Sequence, residues 1–213
     1  MQISTYIHNE MSKKKHRCLI LGASHAKKLH AAILINKEFV KTYEVLSAVT
    51  PGAISSQLYF PNILSEFEEE DVLIVIGFGN DMFVKHLLFT RPTIHLTHFE
   101  PTATQELEKR WASVKSKLKK LTCQVKIIDN IYRHLYCCEN HIHKGIAKYQ
   151  KDTNTQLREF FGEQSINHLS LLDKSRSLRK ASVYSNLLID SVHLKPEYYA
   201  MMANNLLKRI NPA

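Results

Sequence analysis

The chain is poor in the residues that interrupt or staple a fold. Only 6 of its 213 residues are glycine and 6 are proline, which excludes a long low-complexity linker, and no internal repeat at solenoid spacing is present. Cysteine is just as sparse. Cys18 and Cys123 lie in apolar, strand-like runs, and Cys137 and Cys138 are adjacent, where two cysteines rarely bond to each other. That excludes the disulfide framework of a small secreted domain and makes reduced thiols the expectation. Long apolar runs are missing too. The N-terminal stretch MQISTYIHNEMSKKKHR lacks an apolar signal-peptide core, and no segment approaches the ~20 apolar residues that cross a bilayer. An intracellular protein, cytoplasmic or nuclear and without a signal peptide, is the expectation.

Acidic side chains are in deficit: 20 Asp and Glu face 29 Lys and Arg, a net charge of +9. The bases gather at Lys13 to Arg17, at Lys109 to Lys120 and at Lys174 to Lys180. Such a surplus favours polyanions, so nucleic acid is a candidate partner, with a solvated basic face as the bland alternative. Hydrophobic residues make up 44% of the chain, enough for one domain with a sizeable core. The expected division is a basic tail over residues 1–16 and a single domain over 17–213.

Short apolar runs alternate with longer amphipathic stretches. RCLILG (17–22), YEVLSAV (43–49), DVLIVIGFG (71–79) and CQVKIID (123–129) read as buried strands, and INHLSLLD (166–173) as a weaker fifth. Residues 24–35, 53–67, 102–121, 144–161 and 196–210 read as helices, the second interrupted before Pro61. The last opens with Pro196 at a position suited to a first helical residue. Strands and helices in alternation predict parallel βαβ units in a three-layer α/β/α sandwich with about five strands. In such sheets ligands bind beyond the carboxyl ends of the strands, which directs attention to the residues after each strand.

After the first strand comes Gly22-Ala23-Ser24-His25. Ser24 either caps the next helix, the default reading, or presents a hydroxyl as nucleophile and its own N–H to an oxyanion. After the second comes Pro51-Gly52, a turn whose Gly52 N–H is also placed to meet an anion. After the third come Gly77-Phe78-Gly79-Asn80-Asp81: Asn80 is an amide donor, and Asp81 is placed to cap a short helix. Before the last helix stands DSVHLKP, with Asp190 three residues ahead of His193. The pair is either a turn or an acid that orients a base.

Taken in order, GASH, TPGA, VIGFGND and DSVHLKP resemble the blocks of the SGNH hydrolase superfamily, also called the GDSL family, over roughly residues 17–210. The resemblance implies a flavodoxin-like fold and a serine esterase that cleaves an acyl ester without a cofactor. It makes Ser24 the nucleophile, His193 the base and Asp190 the orienting acid. The Ser24 N–H, Gly52 and Asn80 become the oxyanion donors, and His25, Phe78 and Tyr136 become candidates for the cleft wall. The first block departs from the family: Ala23 replaces an aspartate that braces this turn, and His25 replaces an apolar residue. Phe78 stands where the third block has glycine. Related domains occur in retrotransposon-encoded proteins, and one in the germ-plasm protein Oskar binds RNA without a triad. An inactive domain that binds RNA or a protein partner is therefore the alternative.

Two further groups carry weaker signals. Cys137, Cys138, His141 and His143 lie within seven positions, but adjacent cysteines fit poorly around one tetrahedral ion and no separated second pair exists. No metal is expected, and the stretch reads as the loop after the fourth strand, near the mouth of the site with Tyr132 and Tyr136. Arg176, Arg179 and Lys180 precede Asp190, where they would border the site and favour an anionic substrate. His30 and His86 read as surface or satisfied histidines, and His95 and His98 as rim candidates.

Overall fold

In the computed structural model, which describes residues 15–82, 101–134, 140–172, 185–190 and 192–210, the apolar runs pair side by side. β1 (His16–Gly22), β2 (Tyr43–Val49), β3 (Val72–Ile76), β4 (Gln124–Ile128) and β5 (Ser165–Ile166) form one sheet in the order β2-β1-β3-β4-β5. Every neighbouring pair is parallel. The chain therefore winds outward from β1 in both directions, and the order reverses between β1 and β3.

The strands are apolar on both faces because both are covered. Cys18, Ile20, Val72, Ile74 and Ile76 face one layer, and Leu19, Leu21, Leu73 and Val75 face the other. The first layer packs on α1 (Ser24–Leu34) and α5 (Pro196–Ile210). The second packs on α3 (Thr104–Leu118) and α4 (Asn140–Phe161), with Trp111, Val114 and Leu118 of α3 buried as their helical spacing requires. A short helix that the sequence pattern did not signal, α2 (Lys37–Thr42), follows α1. Asn36 caps it by accepting from the Phe39 N–H at 3.1 Å, and the Asn36 amide donates to Asn204 of α5 at 2.7 Å. Among the described residues no helix is long and apolar enough to cross a membrane.

Two expected elements are corrected. Residues 53–67 do not form a helix. They make two short 3-10 turns, Ser55–Gln57 and Asn62–Glu66, with extended backbone between them, because Pro61 disfavours helical backbone at the residue before it. The fifth strand is only Ser165–Ile166, not 166–173. The Asn167 side chain accepts from the Leu169 N–H at 2.9 Å and turns the chain into a 3-10 turn, His168–Leu171.

At the carboxyl edge β1 and β3 come into unusually close contact. A Cβ on Gly22 would stand 2.1 Å from the Ile76 carbonyl oxygen, and one on Gly77 would stand 3.1 Å from the Gly22 Cα. At the opposite edge Asp71 accepts from the Arg17 N–H at 2.6 Å and from the Arg17 guanidinium at 2.6 and 2.9 Å, which ties the start of β1 to the segment entering β3.

Gly22→Ala is expected to destabilise the protein by about 3 kcal/mol or more, since backbone cannot yield the missing space. Gly145→Ala, in α4 with nothing within 4 Å of the added methyl, is expected to stabilise by about 0.5–1 kcal/mol. Urea unfolding of both variants checks the contrast.

Candidate active site

α1 starts at Ser24, directly after β1 delivers the chain to the reversal point. Ala23 occupies the N-cap position and offers no side-chain bond, so the capping role open to Ser24 is not the one it takes. Its Oγ instead lies 2.9 Å from His193 Nε2. Its backbone N–H belongs to a first turn, whose donors have no acceptor inside the helix and whose dipole favours negative charge.

His193 reaches Ser24 from the other end of the chain because the segment before α5 is folded back on itself. Leu188 and Leu194 form an antiparallel bridge. The Ile189 N–H donates to the His193 carbonyl and the Lys195 N–H to the Leu187 carbonyl, both at 2.8 Å. Leu187, Leu188, Val192 and Leu194 are buried and anchor this loop in the core. Inside it, Asp190 Oδ1 accepts from the Val192 N–H at 2.7 Å and from the His193 N–H at 2.6 Å, while Oδ2 lies 2.8 Å from His193 Nδ1. The three-residue spacing thus lets one carboxylate shape the turn and hold the ring. Partial burial would raise the Asp190 carboxyl, but the bonds from the His193 ring and the two N–H groups outweigh it and hold it below the usual range. The carboxylate is therefore ionised at neutral pH and accepts the Nδ1 proton, which leaves the Nε2 lone pair toward the Ser24 hydroxyl.

His25 lines the same cleft as Ser24 and reaches back to α5, where Nδ1 lies 2.6 Å from the Tyr199 hydroxyl, with its ring centroid 5.1 Å from that of His193. Burial first, and then the neighbouring His193, pushes its imidazole well below the usual value, so it is neutral.

A cleft opens from Ser24 between the ends of β1, β3 and β4, walled by Ile76, Phe78, Asn80, Asn130, Ile131 and Arg133 among others. Phe78 is buried against Phe161 at 5.5 Å. The Asn80 amide is fixed at both ends: Nδ2 donates to the Ala53 carbonyl at 2.9 Å and Oδ1 accepts from Arg133 Nη2 at 2.6 Å. Its second N–H remains for another acceptor. Arg133 packs across Gly79, where a Cβ would lie 3.2 Å from Nη2. Burial pushes the guanidinium down to about 10, still protonated at neutral pH. Gly52 sits in the exposed turn after β2 at φ +72°, one residue before the carbonyl that holds Asn80. Among the described residues the cleft wall includes Ser24 and Asn80 but not Gly52.

The segment that Asp81 is expected to cap lies outside the described residues. Asp81 itself is buried inside the 3-10 turn Phe78–Met82 and accepts from the Ser55 N–H at 2.7 Å and the Trp111 indole at 3.2 Å, pinning the 53–67 segment and α3 to the end of β3. Tyr132 is partly buried in the core, edge-on to His168 at 4.9 Å. His168 Nδ1 pairs with the buried Asp129, whose other oxygen pairs with Arg158, and this network joins α4 and the His168–Leu171 turn to the end of β4. The sequence pattern did not single out Arg133, Asn130 or the Asp81 brace. Asn130 nevertheless carries a signal there: it stands in DNIYR, two residues beyond β4, at the edge of the sheet where ligands bind. Tyr136, Cys137, Cys138, Arg176, Arg179, Lys180, His86, His95 and His98 lie outside the described residues, as do the side chains of His141 and His143. Among the described residues no cluster of His, Cys, Asp or Glu is arranged to hold a metal ion.

No protein-family model and no curated protein matches the sequence. Solved structures do match the fold over most of the chain. A GDSL-like lipase from Parabacteroides merdae superposes with a TM-score of 0.59 at 13% identity, covering 92% of this chain and 96% of that one. The acetyl xylan esterase AlAXEase gives 0.55 at 17% identity, covering 92% and 100%. The psychrotrophic esterase EstA from Pseudoalteromonas sp. gives 0.50 at 13%, covering 92% and 97%. The fold is that of the SGNH/GDSL-like esterases and lipases. These likenesses lend nothing to the comparison with Oskar.

Burial pushes the Asp81 carboxyl up to about 6, against the bonds from Ser55 and Trp111 that favour its charged form. The folded protein therefore holds this proton more tightly than the unfolded chain does. The stabilising contribution is complete below the ordinary value of 3.8 and lost as pH rises through about 6. Between about pH 4 and pH 7 the wild type is expected to lose on the order of 3 kcal/mol relative to Asp81→Asn. Urea midpoints of the two proteins across that range provide the check, and parallel curves would mean that the carboxylate stays ionised throughout.

Proposed function

We propose that the chain hydrolyses acyl esters through a covalent acyl-Ser24 intermediate. The observation that carries this reading is the unbroken relay from Ser24 Oγ to His193 Nε2 at 2.9 Å and from His193 Nδ1 to Asp190 Oδ2 at 2.8 Å. His193 Nε2 takes the Ser24 proton as Oγ bonds to the ester carbonyl carbon. The tetrahedral adduct collapses, the bond to the leaving alcohol breaks, and His193 returns the proton to that alcohol's oxygen. Water then repeats the cycle. It gives a proton to His193 while its oxygen adds to the acyl carbon, and the carbon–Oγ bond breaks as Ser24 recovers the proton, freeing the acid.

Both adducts carry negative charge on the former carbonyl oxygen. The Ser24 N–H, the Gly52 N–H and the second Asn80 N–H are the donors assigned to it, each worth ~2.7–4 kcal/mol when well aligned. Arg133 supports the assignment for Asn80, because a guanidinium on Oδ1 fixes which end of the amide donates. These bond changes use no metal ion or organic cofactor.

The surplus of nine positive charges carries a second reading, a polyanion-binding role for the basic surface. RNA affinity that falls steeply as salt rises would support it, and a flat response would remove it.

For the hydrolase reading, turnover of a short-chain p-nitrophenyl ester and labelling by a fluorophosphonate are both expected from the wild type, and neither from Ser24→Ala. Asp190→Asn is expected to lower kcat by roughly 10²–10⁴-fold, because an amide favours the wrong tautomer of His193. A wild type that folds but neither hydrolyses nor labels would overturn the reading.

A further inference from the structure

The cleft below Ser24 has a polar floor. Asn130 is 3% exposed and His25 is 7% exposed, and both belong to the cleft wall. Neither the Asn130 Oδ1 nor its Nδ2 has a hydrogen-bond partner among the described residues, and the same holds for His25 Nε2. The Asn130 backbone, by contrast, is fully engaged: its N–H donates to Asn154 Oδ1 at 3.1 Å and its carbonyl accepts from Asn154 Nδ2 at 2.7 Å. Asn154 of α4 thus clamps the main chain and leaves the Asn130 amide to other partners. Buried amides and imidazole nitrogens are costly to leave unpaired, and leucine fills a similar volume without that cost. These unpaired atoms are themselves almost wholly covered, and the two residues that carry them belong to the cleft wall.

Their chemistry narrows what the cleft would hold. His25 Nδ1 shares a hydrogen bond with the Tyr199 hydroxyl and the ring is neutral, so Nε2 is a donor or an acceptor according to the tautomer. The floor then offers one neutral donor or acceptor at His25 and a donor and an acceptor at Asn130, between the apolar side chains of Ile76, Phe78 and Ile131. On the esterase reading the leaving alcohol lies beside His193, which protonates it. Among the described residues the cleft wall excludes His193 and includes Ser24, Asn80 and Asn130, so the acyl half is assigned to that side.

Resting on the esterase reading, we propose that Asn130 and His25 form an acyl subsite that hydrogen-bonds a hydroxyl on a short acyl group. The preferred esters are those of hydroxyacids, not of plain alkanoic acids. A subsite built for a hydroxyl discriminates against the analogue that lacks it, because its own polar atoms are then left unpaired.

The test compares p-nitrophenyl glycolate with p-nitrophenyl propionate, a hydroxyl against a methyl, each kcat/KM divided by that ester's rate with hydroxide. The wild type is expected to favour the glycolate by about tenfold or more, and Asn130→Leu to bring the ratio near one. His25→Leu, which leaves the Asn154 clamp intact, is expected to lower it in the same direction if Asn130→Leu fails to fold. In parallel, glycolate and propionate are titrated against the folded wild type by NMR. If no ester is turned over, the esterase reading falls, and the subsite stands on glycolate binding about tenfold tighter with the difference lost in the variants. Equal ratios, or equal binding, in wild type and variants would overturn the subsite.

Discussion

The candidate site hangs from one contact, the meeting of the β1 and β3 ends at Gly22 and Gly77. Parallel strands lie a fixed distance apart along their ladder, but here the backbones beyond the ladder also close up, and only hydrogens fit between them. β1 delivers Ser24 within two residues of that contact and β3 delivers Asn80 within three. A side chain at either glycine would wedge apart the candidate nucleophile and its oxyanion donor. The strand order reverses between these same two strands, so among the described residues no crossover helix covers the gap. Closeness and openness have a single origin.

Around that contact the protein distributes its buried polar groups unevenly. At the far edge of the sheet, the Arg17–Asp71 pair is saturated, with the carboxylate also accepting from the Glu68 N–H at 3.0 Å. At the carboxyl edge, two side-chain amides of the cleft wall are braced on one side and open on the other. Asn80 is held by Ala53 and Arg133 with one N–H to spare, and Asn130 is held by its backbone alone. A saturated edge gives stability, whereas a braced but unsaturated edge gives pre-oriented donors at the expense of stability.

The strands and the relay were legible because each leaves a short-range signature. A buried parallel strand is a run of β-branched and aliphatic residues, and the residues just beyond it are where ligands meet the sheet. DSVHLKP was legible because a carboxylate three residues before an imidazole can close a turn and orient the ring at once. What escaped depended on contacts far apart in sequence. Residues 53–67 have enough helical periodicity to suggest a helix, yet Pro61 and the Asp81–Ser55 bond, 26 residues apart, impose another path. α2 has too few residues to show a period. Arg133 reads as an ordinary surface cation until β3 and β4 bring it onto Asn80, 53 residues away.

The relay also ties its chemistry to the order in which the chain is made. Ser24 belongs to the first βα unit, whereas His193 stands 169 residues later, held by a loop that leads into α5. On the esterase reading, the proposed nucleophile therefore leaves a ribosome long before the histidine proposed to activate it. A chain cut short before residue 193 would carry that serine without its proposed base.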